Sequence, residues 1–535
     1  MDIINKEYWV EKMHWADVEA LNLIKRGGPI RIATGITPSG HIHVGNMREI
    51  ITGDAVYRAL LDRGEKPQFI YMADSFDPLR KVYPFLDASY EKYIGHPISE
   101  IPCPCGAHVS YAEHFQEPFL QSVLELGIKP EVKYVHQMYK DGLFYEGIKK
   151  LIEGKDIARE ILERVTGRQL KRSWFPYLPK CSACNTFANT TVDSFEDPYV
   201  AYTCSCGNNG KADIRTDEGK LPWRLEWPAR WSFLGISCEP FGKDHAAAGG
   251  SYESASEIME KILGGKTPHP VIYEWIQLKG KGAMSSSTGV VITGVDMLNM
   301  TPAEVLRFMV MRVDPPKHID FDPGFGILNL VDEYDRYEEI FFGVREGEKS
   351  AAEKKRIFEI SQVDTRLLEG PGAPRRISYR HLVSLVQIDP SLDEVLKRLK
   401  RTENIEELTE DDIARIEKRL NCARFWLDNF APDSVRFSLQ EHFKPSMIEG
   451  FGDLEFKILK ELEKGLSSVP WKGSEIHQAC YDVKERLNIS PKKVFSLLYR
   501  LLLDQNRGPR LGFFLSSLDR KDVLKRLREA ITAVH

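Results

Sequence analysis

IRIATGITPSGHIHVGN, residues 30–46, passes from a β-rich run through a loop of glycine, proline, serine and histidine into a helical pattern. Ile30–Thr34 follows a Gly-Gly-Pro break and reads as a strand. Beyond the loop, Val44, Met47, Ile51 and Ala55 share one face of a helix that Gly64 stops. QFIYMAD, Gln68–Asp74, is the next strand, and two strands around a crossover helix imply a parallel sheet. In the loop, Gly40 is expected to allow a sharp turn and Gly45 a close approach of ligand to backbone. His43 sits where the helix begins, so its imidazole and the positive end of the helix dipole can meet a phosphate. One histidine there is ordinarily a turn residue. Two of them, His41 and His43, inside Pro-x-Gly-x-x-His-x-Gly point to a nucleotide instead.

Outward from this unit, a second half of the sheet is expected in Phe233–Cys238 (strand), Ser251–Leu263 (helix) and Val271–Leu278 (strand). Past about Pro302 helical patterns dominate, as in Leu454–Lys464 and Lys521–Ile531, and Ser490 with Pro491 reads as an N-cap with proline at the first helical position. The expected fold is α/β: a doubly wound, parallel, nucleotide-binding Rossmann-type domain split by an insertion, then an all-α C-terminal domain. Boundaries are drawn at 1–92 and 221–300 for the two halves, 93–220 for the insertion, 301–345 for a connector and 346–535 for the helical domain. A chain of 535 residues needs several cores. Its 42% hydrophobic and 28% charged residues exclude fibrous and disordered classes. A net charge of −5 means that any nucleic acid is held by local basic patches. No apolar run is long enough to span a membrane and the N-terminus lacks signal-peptide form, so a cytoplasmic protein is expected. The oligomeric state stays open, and a monomer suffices.

Six of the nine cysteines fall in tight pairs, which in a reducing compartment read as metal ligands. Cys238, Cys422 and Cys480 stand alone as ordinary buried thiols. Cys181-x-x-Cys184 with Cys204-x-Cys206 suits a tetrahedral four-thiolate zinc site. Cys103 and Cys105 with His108 and His114 can close a second, mixed site; the alternative is a weak site with one histidine. Neither set leaves an open position, so both zinc ions are expected to be structural, stiffening an insertion too small for its own core.

PSGHIHVGN closely resembles the HIGH signature of class I aminoacyl-tRNA synthetases, with His43-Val44-Gly45-Asn46 as the tetrapeptide. Their second signature, KMSKS, is matched in form by Ala283-Met284-Ser285-Ser286-Ser287, and Gly242-Lys243-Asp244-His245 resembles their G-x-D element. This resemblance implies an ATP site of Pro38, Gly40, His43, Gly45, Asn46, Gly242, Asp244, Met284, Ser285 and Ser286. His43 is then the main catalytic residue, with His41, Ser285 and Ser286 beside it. The family has lysines where this chain has Ala283 and Ser286, so Lys279, Lys281, or hydroxyls, backbone N–H groups and Mg²⁺ must supply the charge.

Four stretches, RIATGITPSGHIHVGN, ADSFDPLRKVYP, LPWRLEWPARW and FGKDHAAAGGSYE, narrow the resemblance to class I lysyl-tRNA synthetases. By that likeness Gly35, Thr37, Trp223 and His245 line a lysine site. A lysine ε-ammonium needs a buried carboxylate or a cage of carbonyls and rings. Asp74, Asp77 and Glu226 stand near strand ends, and each equally suits a solvated loop or a helix cap; Asp74 is taken as the binding candidate. In this family a cysteine is usual at Ala107, and Cys105 is the substitute. The implied chemistry is attack of the lysine carboxylate on the α-phosphate of ATP with Mg²⁺, release of pyrophosphate, and transfer to tRNA, which must be present before activation. Glutamate or arginine enzymes, a ligase that charges no tRNA, and a zinc-stabilised RNA-binding protein are the alternatives.

For RNA, Arg168, Lys171, Arg172, Trp174, Phe175, Tyr177 and Lys180 interleave cations and rings suited to phosphates and unpaired bases, and equally suit a solvated loop. Arg507, Arg510, Arg520, Lys521, Lys525, Arg526 and Arg528 are candidates on the C-terminal helices, which in this family meet the anticodon stem.

Overall fold

The computed structural model describes residues 13–280, 282–283, 291–370, 373–403, 405 and 407–533. These divide into two compact units, one of Met1–Leu298, Ala303–Phe321 and Tyr337–Pro371, the other of Asn299–Pro302, Asp322–Arg336 and Gly372–His535.

In the first unit the labelled elements are α1 (Trp15–Arg26), β1 (Arg31–Ile36), α2 (Val44–Leu61), β2 (Gln68–Ala73), α3 (Tyr111–Glu125), β3 (Glu131–Tyr134), α4 (Trp223–Leu234), β4 (Cys238–Gly242), α5 (Ser251–Ile258), β5 (His269–Tyr273) and β6 (Ile276–Leu278). The first five strands form one parallel sheet in the order β5-β4-β1-β2-β3. The chain starts in the middle, runs outward through β2 and β3, and resumes on the other side of β1. The two halves therefore part between β1 and β4, and the carboxyl ends of these strands open a crevice, where open α/β sheets hold ligands. β1 and β2 are buried almost throughout, as strands covered on both faces must be. α2 lies close on them through Gly53, where a Cβ would come within 2.9 Å of the Phe69 ring.

Two sequence expectations shift here. Phe233–Cys238 is not a strand: Phe233 and Leu234 end helix α4, Gly235 closes it in a left-handed conformation (φ 62°), and the strand begins at Cys238. The i, i+4 recurrence of Trp223, Trp227 and Trp231, with Glu226 and Arg230 on a second stripe, is the helical period that outranks the short apolar run. Val271–Leu278 is two strands, because the chain breaks at Glu274–Trp275 and β6 joins a separate sheet with Gly282–Ala283 and Ile319–Phe321. Buried Arg48 of α2 satisfies carbonyls at the break, donating to Glu274 O at 2.5 Å, Pro315 O at 3.2 Å and Lys317 O at 2.8 Å.

The insertion carries a three-stranded antiparallel sheet, Thr190–Glu196, Tyr199–Cys204 and Asn209–Asp213. Its Val200, Tyr202 and Ile214 belong to the same apolar cluster as Trp227, Trp231 and Phe241 of the second half-sheet. It shares a core rather than lacking one.

The second unit has no strand among its described residues. Its helices include Glu410–Asn429, Asp453–Ser468, Gly473–Leu487, Pro491–Leu503 and Arg520–Thr532. Leu459, Leu462, Ile476, Cys480, Leu498 and Leu527 fill a core between helices. Ser490 caps one helix by accepting from Lys493 N, with Pro491 at the first position. Arg526 is buried and donates to the carbonyls of Leu501, Gln440 and Glu441, which removes it from the candidates for RNA. Arg528 pairs with Glu463 and Arg520 with carbonyls, leaving Lys521 and Arg507 among the exposed candidates. Among the described residues no helix is long and apolar enough to cross a membrane.

Candidate active site and metal centres

The crevice at the ends of β1 and β4 is a cavity of about 850 Å³. Gly35, Thr37, Gly40, His43, Gly45, Asn46, Asp74, Trp223, Gly242, Asp244 and His245 all line it. Pro38 and His41 do not, and the His41 ring lies edge-on to Phe85 and Phe115 at centroid distances of 5.4 and 5.1 Å. Met284, Ser285 and Ser286 lie outside the described residues, as does Lys281. Ala283 closes a strand on β6, and Lys279 is not on the wall. The chain bends at Ser39–Gly40 without a left-handed φ at Gly40.

His43 is the N-cap of α2 in extended backbone, and its N–H donates to Asn46 Oδ1 at 3.3 Å. Val44 N donates to Ile292 O at 2.7 Å, so the helix start is tied to the segment that follows the serine-rich stretch in sequence. Burial depresses the imidazole pKa to about 4, so the ring is neutral at physiological pH. Its Nδ1 is sealed from solvent without a partner. Nε2 is left to meet a ligand at the positive end of the helix dipole.

Below the loop lies a buried charge network. Arg230 pairs with Asp74 at 2.5 Å and with Glu226 one helical turn earlier. Lys220 pairs with Asp77 at 2.5 Å and Glu226 at 3.2 Å. Tyr139 donates to Glu226 at 2.9 Å, and Thr37 donates to Asp77 at 3.2 Å. Among the buried groups, three carboxylates face two cations, and the exposed Arg80 adds only a 4.0 Å pair to Asp77. Burial lifts Asp74 to about 6 although Arg230 pulls it down. Burial also raises Asp77, but Lys220 more than offsets this and leaves it below its ordinary value.

A further carboxylate, which sequence reasoning missed, faces the crevice from α2. Glu49 accepts from Gly35 N and from the Tyr273 hydroxyl, both at 2.7 Å. Burial pushes its pKa to about 8, with the two hydrogen bonds pulling the other way. On the opposite wall Trp223 stacks on Trp227 at 5.3 Å, Arg230 lies 5.4 Å from the Trp223 ring, and His245 is fixed by a 2.6 Å bond to Ser251. Glu239 is clamped by the indole N–H groups of Trp227 and Trp231.

The cysteine clusters converge. Sγ of Cys103 and Cys105 and Nδ1 of His108 and His114 stand 3.2–3.5 Å apart over all six pairs. The centre of a tetrahedron with such edges lies about 2.0–2.1 Å from each corner, close to a zinc–nitrogen bond. Nε2 of His108 meets Glu117 at 2.9 Å, the outer carboxylate that orients a metal-binding imidazole. In the second cluster, Cys181–Cys206 and Cys184–Cys204 are each 3.6 Å apart, and all four sulfurs lie within 4.8 Å of one another, close enough to share one metal ion. Both donor sets fit a tetrahedral metal.

Of the basic stretch before the second cluster, Tyr177 is fully buried and Lys180 is paired with Glu100 at 2.6 Å, so neither offers a free stacking or phosphate group. Trp174 is half-buried beside Arg159. Arg168, Lys171 and Arg172 remain exposed.

Residues 13–364 match the family described as tRNA synthetases class I (K), and 431–531 match an anticodon binding domain. The chain belongs to the class I tRNA synthetases. Within that class it is 42% identical to the lysine--tRNA ligase of Picrophilus torridus over 96% of this chain and 98% of that one. It is likewise 42% identical to the lysine--tRNA ligases of Archaeoglobus fulgidus, over 97% of this chain and 100% of that one, and Thermoplasma volcanium, over 97% and 99%. The resemblance read from the signatures thus extends over nearly the whole chain.

Proposed function

We propose that this chain activates L-lysine with ATP and attaches it to tRNA through a lysyl-adenylate, acting in the cytoplasm. The observation that carries the choice of lysine is the surplus of buried carboxylate on the crevice wall, to which an ammonium group brings the missing charge. Glu49, held by Tyr273 and Gly35, receives the ε-ammonium, while Thr37, Trp223 and His245 border the rest of the amino acid. The nucleotide lies over Gly40, Gly45 and Asn46 and against Gly242 and Asp244. His43 donates a hydrogen bond to the phosphate that the lysine carboxylate attacks. No protein nucleophile takes part, so catalysis is alignment plus stabilisation of phosphate charge. Mg²⁺ bound with ATP would shield part of that charge. The test is an aminoacylation assay with all twenty amino acids, total tRNA, ATP and Mg²⁺. Charging of lysine alone is the expected result. Another amino acid would overturn the assignment within the class, and no charging by folded protein would overturn the synthetase activity.

The Glu49 site makes lysine binding dependent on pH. A carboxyl with a pKa of about 8 is mostly protonated at pH 7 and must ionise to hold an ammonium, so affinity rises as pH rises through that value. Calorimetry is expected to give a lysine Kd about tenfold tighter at pH 9 than at pH 7. Glu49→Gln should weaken lysine binding and flatten this dependence. A wild-type Kd independent of pH would remove Glu49 from the ammonium site.

Both cysteine clusters hold structural zinc in this reading, as cross-links that fix the knuckles without touching the reaction. Elemental analysis of Cys181→Ser is expected to find about one zinc per chain against two in the wild type. Equal metal contents in the two proteins would reject the four-thiolate site.

A further inference from the structure

Class I chemistry gathers negative charge on the triphosphate of ATP, yet the loop that carries lysines elsewhere in the class has Ala283 and Ser286 in this chain. The crevice wall itself bears the carboxylates of Glu49, Asp74, Asp77 and Asp244. Among the described residues its cationic side chains are Lys220 and Arg80. Lys220 is only 6% exposed and spent on Asp77 and Glu226. Lys243, just outside the wall, is tied to Glu274 at 2.8 Å and lies 4.9 Å from the Trp275 ring. Arg80 differs: its side chain is 76% exposed, and its ion pair with Asp77 is at 4.0 Å. The segment that bears it is anchored, because Asp77 accepts from Thr37 in the phosphate loop and is gripped by Lys220. Leu79, next to Arg80, is buried and exchanges backbone hydrogen bonds with Gly95 and His96. A guanidinium that is mostly exposed and only loosely paired, on a fixed stem at the border of the phosphate loop, is built to meet an anion rather than to hold the fold.

We propose that Arg80 is the cation that meets the ATP triphosphate in this crevice, supplying the charge that the serine loop lacks. The proposal rests on the synthetase reading, but its first readout does not need lysine. Titration of the wild type, Arg80→Ala and Arg80→Lys with Mg²⁺ and ATP by calorimetry reads nucleotide affinity directly, and labelled tRNA titrated in parallel reads RNA affinity. Arg80→Ala is expected to bind ATP about 10- to 100-fold more weakly, as loss of a charge-assisted contact does, with tRNA affinity within twofold. Arg80→Lys should recover part of the loss through its ammonium. In charging assays, kcat/KM for ATP should fall by the same factor while KM for tRNA holds. Circular dichroism identical to wild type excludes unfolding; the pair that Arg80 gives up is the 4.0 Å one to Asp77, which Lys220 still holds at 2.5 Å. Unchanged ATP affinity and kcat/KM, or a loss confined to tRNA, would overturn the proposal. Absence of lysine charging by the wild type would instead strike the synthetase reading and leave the ATP titration to decide the role of Arg80.

Discussion

His43→Ala is expected to lower kcat for adenylate formation about 100- to 1000-fold while leaving lysine affinity within a few fold. The magnitude is that of removing one preorganised donor from a site where oxyanion charge develops. The direction follows from position: His43 caps α2 in the loop after β1, whereas the lysine contacts proposed above fall to Glu49, Tyr273 and the tryptophan wall. Because burial holds the imidazole near pKa 4, the ring works as a neutral donor, not as an imidazolium. The pH profile of kcat should therefore show no limb from His43 between pH 5 and 8. His43→Asn, which keeps a donor without a titrating ring, should recover part of the rate. Single-turnover adenylate formation with tRNA present is the measurement; a loss below threefold in the alanine variant would remove His43 from the chemistry.

Arg230→Met should cost about 3–5 kcal/mol of stability, the usual penalty for stripping a buried carboxylate of its cation. Asp74 and Glu226 both lean on this guanidinium, and all three side chains are at most 7% exposed. The deficit should depend on pH. Without Arg230, burial drives the Asp74 carboxyl pKa further above its unfolded value of about 4. A group raised in the folded state is stabilising while protonated and loses that contribution as pH climbs through its folded pKa. The variant is thus expected to approach wild-type stability near pH 5 and fall furthest behind at pH 8, as read by urea titration. A constant deficit at both pH values would mean that lost packing, not charge, dominates.

Sequence carried the local features well. His43, Gly45 and Asn46 were legible because the phosphate loop is one contiguous turn whose residue types its geometry demands. The cysteine sets were legible because metal ligation imposes short spacings. Glu49 was not: nothing about one acid on an apolar helix announces that Gly35 and Tyr273 will close on it, and Tyr273 is 224 residues away in the chain. Lys220 and Tyr139 escaped for the same reason, their bonds to Glu226 being products of tertiary packing. The strand expected at Phe233–Cys238 failed because a short apolar run has no period of its own, and the tryptophan spacing upstream held the deciding signal. Arg48 sat unnoticed in α2, although its guanidinium explains why the chain breaks between β5 and β6.

The stretch drawn as an insertion, 93–220, holds β3 of the parallel sheet itself, so the chain leaves the sheet only beyond β3 and rejoins it at α4, an arrangement that would let a lineage lengthen or trim that later part freely. Lys220 and Tyr139 forbid this, for both reach from the inserted stretch to Glu226 beneath the crevice. Insertion and half-sheet are for that reason one unit of packing: a substitution at Glu226 strips a buried partner from both Lys220 and Tyr139. Grafting the insertion from a distant relative would break the floor of the crevice before it altered any contact with RNA.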